Sequence, residues 1–164
     1  MRVLVTVASK HGSAHEVGHI IADELRAQGL DVDEVEPHDV HSLADYDGVV
    51  LGSAVYMAQW MDEAKEFVSR FGSTIEEVPL WAFSVGMSGV KSGNVNDPSR
   101  VGPVLLTLSP REHKTFKGKL DPQQLSWRER TIAKLGGAVE GDYRDETEER
   151  AWAREIANEL AQSH

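Results

Sequence analysis

Three near-continuous apolar runs constrain this chain more than any other feature. RVLVTVA (2–8), DGVVLGSAVY (47–56) and PLWAFSVG (79–86) are rich in β-branched and aliphatic residues, and each gives way to small and polar residues at its carboxyl end. A strand covered on one face alternates polar and apolar residues, whereas a near-continuous run belongs to a strand covered on both. Segments with helical spacing separate the runs. Ser13 to about Gln28 gathers Val17, Ile20, Ile21 and Leu25 on one side and is closed by Gly29. About Trp60 to Phe71 carries Met61, Ala64, Phe67, Val68 and Phe71, and a last helix carries Trp152, Ile156 and Leu160 at spacings of four. LDVDEVEP (30–37) alternates and predicts a strand exposed on one face, near a sheet edge. Asn96-Asp97-Pro98 predicts the start of a helix reaching about Leu108, made irregular by Pro103. KTFKGKL (114–120) predicts a final short strand. This alternation predicts a three-layer α/β fold, a parallel sheet with helices on both faces.

The 164 residues read as a single domain (1–164) with an insertion at about 121–145 before the last helix. There is no cysteine, so disulfides, thiolate metal sites and cysteine nucleophiles are excluded. A net charge of −10 argues against nucleic acid, whose binding needs phosphates neutralised by Lys and Arg. No apolar run approaches membrane-spanning length, and MRVLVTVASKHG has too short an apolar stretch for a secretory signal. A cytoplasmic location is expected. Within the insertion, Leu125, Arg128, Arg130, Ile132, Lys134 and Leu135 would make a short basic amphipathic helix. Membrane contact by that helix stays open, with packing on its own domain the favoured reading.

The second strong motif is His15-Glu16-Val17-Gly18-His19, a literal H-E-x-x-H in which two histidines a helical turn apart share zinc and the Glu acts as base. Its context argues against that reading. With Val17, Ile21 and Leu25 facing inward, His15 and His19 fall on the opposite, solvent side of the helix. The extended form of the motif needs Gly and His where the chain has Ala22 and Leu25. A catalytic zinc site is therefore the remote alternative.

In a parallel α/β sheet, ligands bind in the crevice beyond the strand carboxyl ends. Three loops leave those ends here: 9–14, 53–59 and 84–93. The first, Ser9-Lys10-His11-Gly12-Ser13-Ala14, leads into a helix, where uncompensated amides and a close-approaching glycine suit an anion. Competing folds fail on missing residues. There is no G-x-x-x-x-G-K-[ST] and no G-x-G-x-x-G after the first strand. A phospho-acceptor receiver would need acidic groups where Ala8-Ser9 and Gly52-Ser53 stand. Gly86-Met87-Ser88-Gly89 is one residue short of a nucleophile elbow.

On VLVTVASKHGSA, YDGVVLGSAVYMAQW and PLWAFSVG, the chain resembles the flavodoxin family over essentially its whole length. KGKLDPQQLSWRER and GDYRDETEERAWAREIA are similar to the carboxyl end of its menaquinone-dependent protoporphyrinogen oxidase-like subgroup. The resemblance implies a flavodoxin-like fold with a five-stranded parallel sheet in the order 2-1-3-4-5, and FMN as cofactor. It places the FMN phosphate on Ser9, Lys10, His11, Gly12, Ser13 and Ala14. It places the isoalloxazine between Ser53, Ala54, Val55, Tyr56 and Met57 on one side and Ser84, Val85, Gly86, Met87, Ser88 and Gly89 on the other. Tyr56 is the candidate for stacking on the ring and Trp60 the second, with a strong competing reading of Trp60 as core at the start of its helix. Ala14 departs from the family's usual Thr, and one lost hydroxyl contact costs about 1 kcal/mol. The third loop offers Met87 in place of an aromatic residue, so weak FMN retention is expected.

The implied function is an FMN-dependent oxidoreductase of the protoporphyrinogen oxidase-like type, with a quinone or another electron acceptor as partner. No residue is assigned as general acid or base. His113, Lys114, Lys117 and Lys119 form a basic cluster that would suit an anionic substrate, with a solvated strand edge the favoured reading. Two alternatives stay open: an electron-carrier flavodoxin without a substrate of its own, and a domain that has lost its flavin.

Overall fold

The computed structural model describes residues 1–9, 12–56, 59–86, 109–117, 119–120, 141–142 and 146–163. In chain order its elements are β1 (Arg2–Ala8), α1 (Ser13–Ala27), β2 (Asp31–Glu34), β3 (Gly48–Tyr56), β4 (Gln59–Trp60), α2 (Asp62–Phe71), β5 (Leu80–Gly86), β6 (Glu112–Lys117), β7 (Lys119–Leu120), β8 (Gly141–Asp142) and α3 (Glu146–Ser163). Five strands run parallel in the order β2-β1-β3-β5-β6. This is the expected 2-1-3-4-5 order, with the two-residue β4 added as an antiparallel flap on the end of β3.

Period-two pleating sorts each strand's side chains into two cores. On one face Val3, Val5, Val7, Val50, Trp81, Phe83 and Phe116 meet α1 and α3 through Val17, Ile21, Leu25, Trp152, Ile156 and Leu160. On the other, Leu4, Ala8, Val49, Leu51, Leu80 and Ala82 meet α2 through Ala64, Phe67 and Val68. The continuous apolar character of β1, β3 and β5 follows directly from this double covering. β2 has only β1 beside it and stays half-exposed; Arg2 reaches Asp33 and Arg26 reaches Glu34 to hold it.

Phe83 is the centre of the first core. Its ring lies edge-on to Phe116 and Trp152, with centroids 6.1 Å from each. The ring lies directly over Gly52, where an added Cβ would come within 2.1 Å of it. Gly18 lets α1 approach the sheet, since a Cβ there would lie 2.6 Å from Val7. The α1–α3 contact is clamped by the buried Glu24 carboxylate, which accepts from Arg154 at 2.6 Å and Arg150 at 3.3 Å.

Two expectations shift. The last parallel strand begins at Glu112, two residues early, because Glu112 pairs with Trp81 and its carboxylate accepts the Trp152 indole N–H at 2.8 Å. It also ends at Lys117, opposite the last residue of β5, Gly86. Residues 119–120 therefore find no partner in the main sheet and pair with β8 instead. The expected helix from Asn96 to about Leu108 lies outside the described residues, as does the insertion apart from β8.

Candidate functional site

Strand register brings the three expected loops to one edge. Ala8 pairs with Ser53, Ser53 with Ser84 and Ser84 with Thr115, so β1, β3, β5 and β6 end within a few residues of one level. The chain leaves that edge after Ala8, Tyr56 and Gly86.

The first loop is described at both of its ends. Gly12 caps α1 in the left-handed region at φ 86°, where a residue with a Cβ is strained. Its carbonyl accepts the first helical bond from the Glu16 amide at 3.0 Å, and its own amide donates to the Ser9 hydroxyl at 3.1 Å. Gly12 has no side chain with which to cap the first-turn amides, and nothing described lies within 4 Å of where its Cβ would stand. The first-turn amides of a helix that starts at a glycine have the donors and the partial charge for a phosphate. Ala14 is fully buried in the first core, so what it can offer an anion is its backbone amide. Ser9 and Ser13 are half-buried; Lys10 and His11 lie outside the described residues.

The second and third loops are braced from below by hydroxyls that the sequence assigned to the ligand. Ser53 is fully buried; its Oγ donates to the Ala54 carbonyl and accepts the Met61 amide, both at 2.9 Å. That bond closes the β3–β4 turn. Ser84 is buried too, and its Oγ accepts the Trp60 indole N–H at 2.8 Å. On its other side it meets His113 Nε2 at 2.8 Å. Burial pushes the His113 imidazole below its ordinary value of 6.5, so it is neutral at pH 7 and not part of a basic cluster. Trp60–Ser84–His113 therefore ties β4, β5 and β6 together beneath the strand ends. The signal for His113 was present: in a strand His113 and Thr115 share one face and Lys114 takes the other. Its partner could be named only from the register.

Trp60 is 2% exposed, which makes it a core residue of the second loop. Ala54 and Val55 are half-buried, Val85 and Gly86 are buried, and Tyr56 ends β3 opposite Gln59. Met57, Met87, Ser88 and Gly89 lie outside the described residues.

The H-E-x-x-H histidines do not converge on a common point. His15 Nε2 faces the Val7 carbonyl at 3.0 Å and Glu36 at 3.1 Å, whereas His19 Nδ1 faces Glu34 at 2.9 Å. Among the described residues no three His, Asp or Glu side chains are grouped to hold a metal. A cavity of about 420 Å³ lined by residues 75–80, Ser109 and Arg111 lies at the opposite, amino-terminal edge of the sheet. Among the described residues no helix is long and apolar enough to cross a membrane.

Comparison with known proteins agrees with this architecture. The protoporphyrinogen IX dehydrogenase (quinone) of Escherichia coli strain K12 is 25% identical over 173 aligned residues, covering 96% of each chain. Among solved structures, an archaeal flavodoxin superposes with a TM-score of 0.63 at 13% identity, over 98% of this chain and 99% of that one. A Streptococcus pneumoniae TIGR4 flavodoxin gives 0.62 at 17% identity over the whole of both. The rubredoxin:oxygen oxidoreductase of Desulfovibrio gigas gives 0.68 at 12% identity, and this chain spans only 36% of its length. These structural likenesses are of fold. The flavodoxin-domain family model matches residues 4–147, and the chain belongs to that family.

Proposed function

We propose that this chain is an FMN-dependent oxidoreductase of the protoporphyrinogen oxidase-like type, with a quinone or another small molecule as electron acceptor. The observation that carries the activity is the likeness to the Escherichia coli dehydrogenase over 96% of both chains. The cofactor assignment rests on the amino end of α1, which starts at the left-handed Gly12, in a family that binds FMN.

FMN supplies electron and hydride transfer; the protein supplies position and electrostatics. The first-turn amides of α1 would hold the phosphate, with Gly12 allowing close approach and Ser9 fixing the turn. Tyr56 and the chain beyond Gly86 would flank the ring. Ser53 and the Trp60–Ser84–His113 chain would hold those flanks rigid without touching it.

The test is FMN titration followed by anaerobic assay of the loaded protein with protoporphyrinogen and a quinone. Porphyrin formation coupled to quinone reduction is expected. FMN binding without turnover would favour the electron-carrier alternative. One feature favours that second reading: Asp62, Glu63 and Glu66 are exposed on α2 just after the second loop, an acidic rim suited to a basic protein partner.

A further inference from the structure

We propose that His15, the first histidine of the H-E-x-x-H run, is a positioning residue that shapes the phosphate loop by supplying a hydrogen bond the sheet cannot. The inference rests on the FMN reading above.

The argument begins at the sheet edge. β2 pairs with β1 as far as Val5 and Glu34, and the next bond runs from the Val35 amide to the Val5 carbonyl at 3.2 Å. Residues two apart on a strand direct their carbonyls to the same side, so the Val7 carbonyl also faces the β2 edge. The next donor in that register would be residue 37. That residue is Pro37, which has no N–H, and the chain there turns into a short 3-10 helix over Pro37–Asp39.

His15 fills the gap. Its Nε2 lies 3.0 Å from the Val7 carbonyl oxygen. A carbonyl only accepts, so Nε2 carries the hydrogen and the ring donates. Glu36 Oε1, 3.1 Å from the same nitrogen, shares that donor and holds the ring from the β2 side. The result is a bond from the first turn of α1 back to the end of β1, and only residues 9–12 lie between those two elements. The described residues on either side of positions 10 and 11 are thus tied twice: by the imidazole of His15 on Val7 and by the Ser9 hydroxyl on the Gly12 amide. Both contacts bear on where the first-turn amides of α1 point.

This predicts a selective effect. Dissociation constants for FMN and for riboflavin, which lacks the phosphate, would be measured by flavin fluorescence quenching on the whole chain, with the melting temperature of the flavin-free protein alongside. Losing one hydrogen bond of about 1 kcal/mol corresponds to roughly a fivefold loss of affinity. His15→Leu is expected to weaken FMN about that much while riboflavin changes by less than about twofold. His15→Gln, whose amide N–H reaches a similar position, is expected to recover most of the FMN affinity. Should His15→Leu not fold, His15→Ser, too short to reach Val7, takes its place with the same expected split. Unchanged FMN affinity in the variant, or an equal loss for both flavins, would overturn the proposal. A wild-type protein that binds both flavins equally would overturn it as well, because the phosphate would not be held at this loop. A wild-type protein that binds neither would remove the FMN reading itself, and this inference with it.

Discussion

At the scale of single residues, one described side chain stands out. Thr6 is fully buried in the middle of β1, and its hydroxyl has no hydrogen-bond partner. A buried polar atom left unsatisfied costs about 1–3 kcal/mol. Valine has nearly the same shape without the hydroxyl, so Thr6→Val is expected to stabilise the protein by about 1 kcal/mol. Urea denaturation would read this as a higher midpoint at unchanged slope. A lower midpoint would mean that the hydroxyl has a partner the structure does not show. The other buried hydroxyls behave differently. Ser53 and Ser84 are each bonded twice, and those bonds set the two flanking loops.

At the scale of elements, close approach governs the first core. Gly52→Ala would drive a methyl into the Phe83 ring, an overpacking expected to cost about 1–3 kcal/mol. Phe83→Leu in the same chain would return part of that loss, and strict additivity of the two changes in a double-mutant cycle would contradict the contact. The α1–α3 clamp gives a pH signature. Hydrogen bonds from Arg154 and then Arg150 hold the Glu24 carboxyl below its ordinary value of 4.5. A group lowered in the folded state contributes stability above its unfolded value and loses it as the pH falls through the folded one. Stability is therefore expected to drop on acidification below about pH 4.5, and Glu24→Gln to be less stable at pH 7 with a flatter acid limb. A variant with the wild-type acid limb would contradict this. The element pattern was largely legible in the sequence: the apolar runs gave β1, β3 and β5, and helical spacing gave α1, α2 and the buried stripe of α3. Periodicity tells which way a side chain faces but not what it meets there. Trp60 in a β4 flap, His113 turned onto Ser84, and His15 bonded to a strand carbonyl all depend on register across the sheet, which no local pattern encodes.

At the scale of the whole molecule, parallel strands end at one edge, and α1 starts there at a left-handed glycine. The −10 charge already nets out ion pairs such as Glu24 with Arg154, Asp33 with Arg2 and Glu34 with Arg26, so it measures the excess of carboxylates over basic groups. The literal H-E-x-x-H shows the limit of a motif without its context, since its two histidines serve separate partners. The central claim is that the strand carboxyl edge holds FMN, and its most direct test is a titration of the purified chain with FMN, following flavin fluorescence with and without EDTA. The account predicts saturable quenching at one FMN per chain, indifferent to EDTA, with affinity reduced when riboflavin replaces FMN. Absence of saturable binding, or binding that EDTA abolishes, would contradict it.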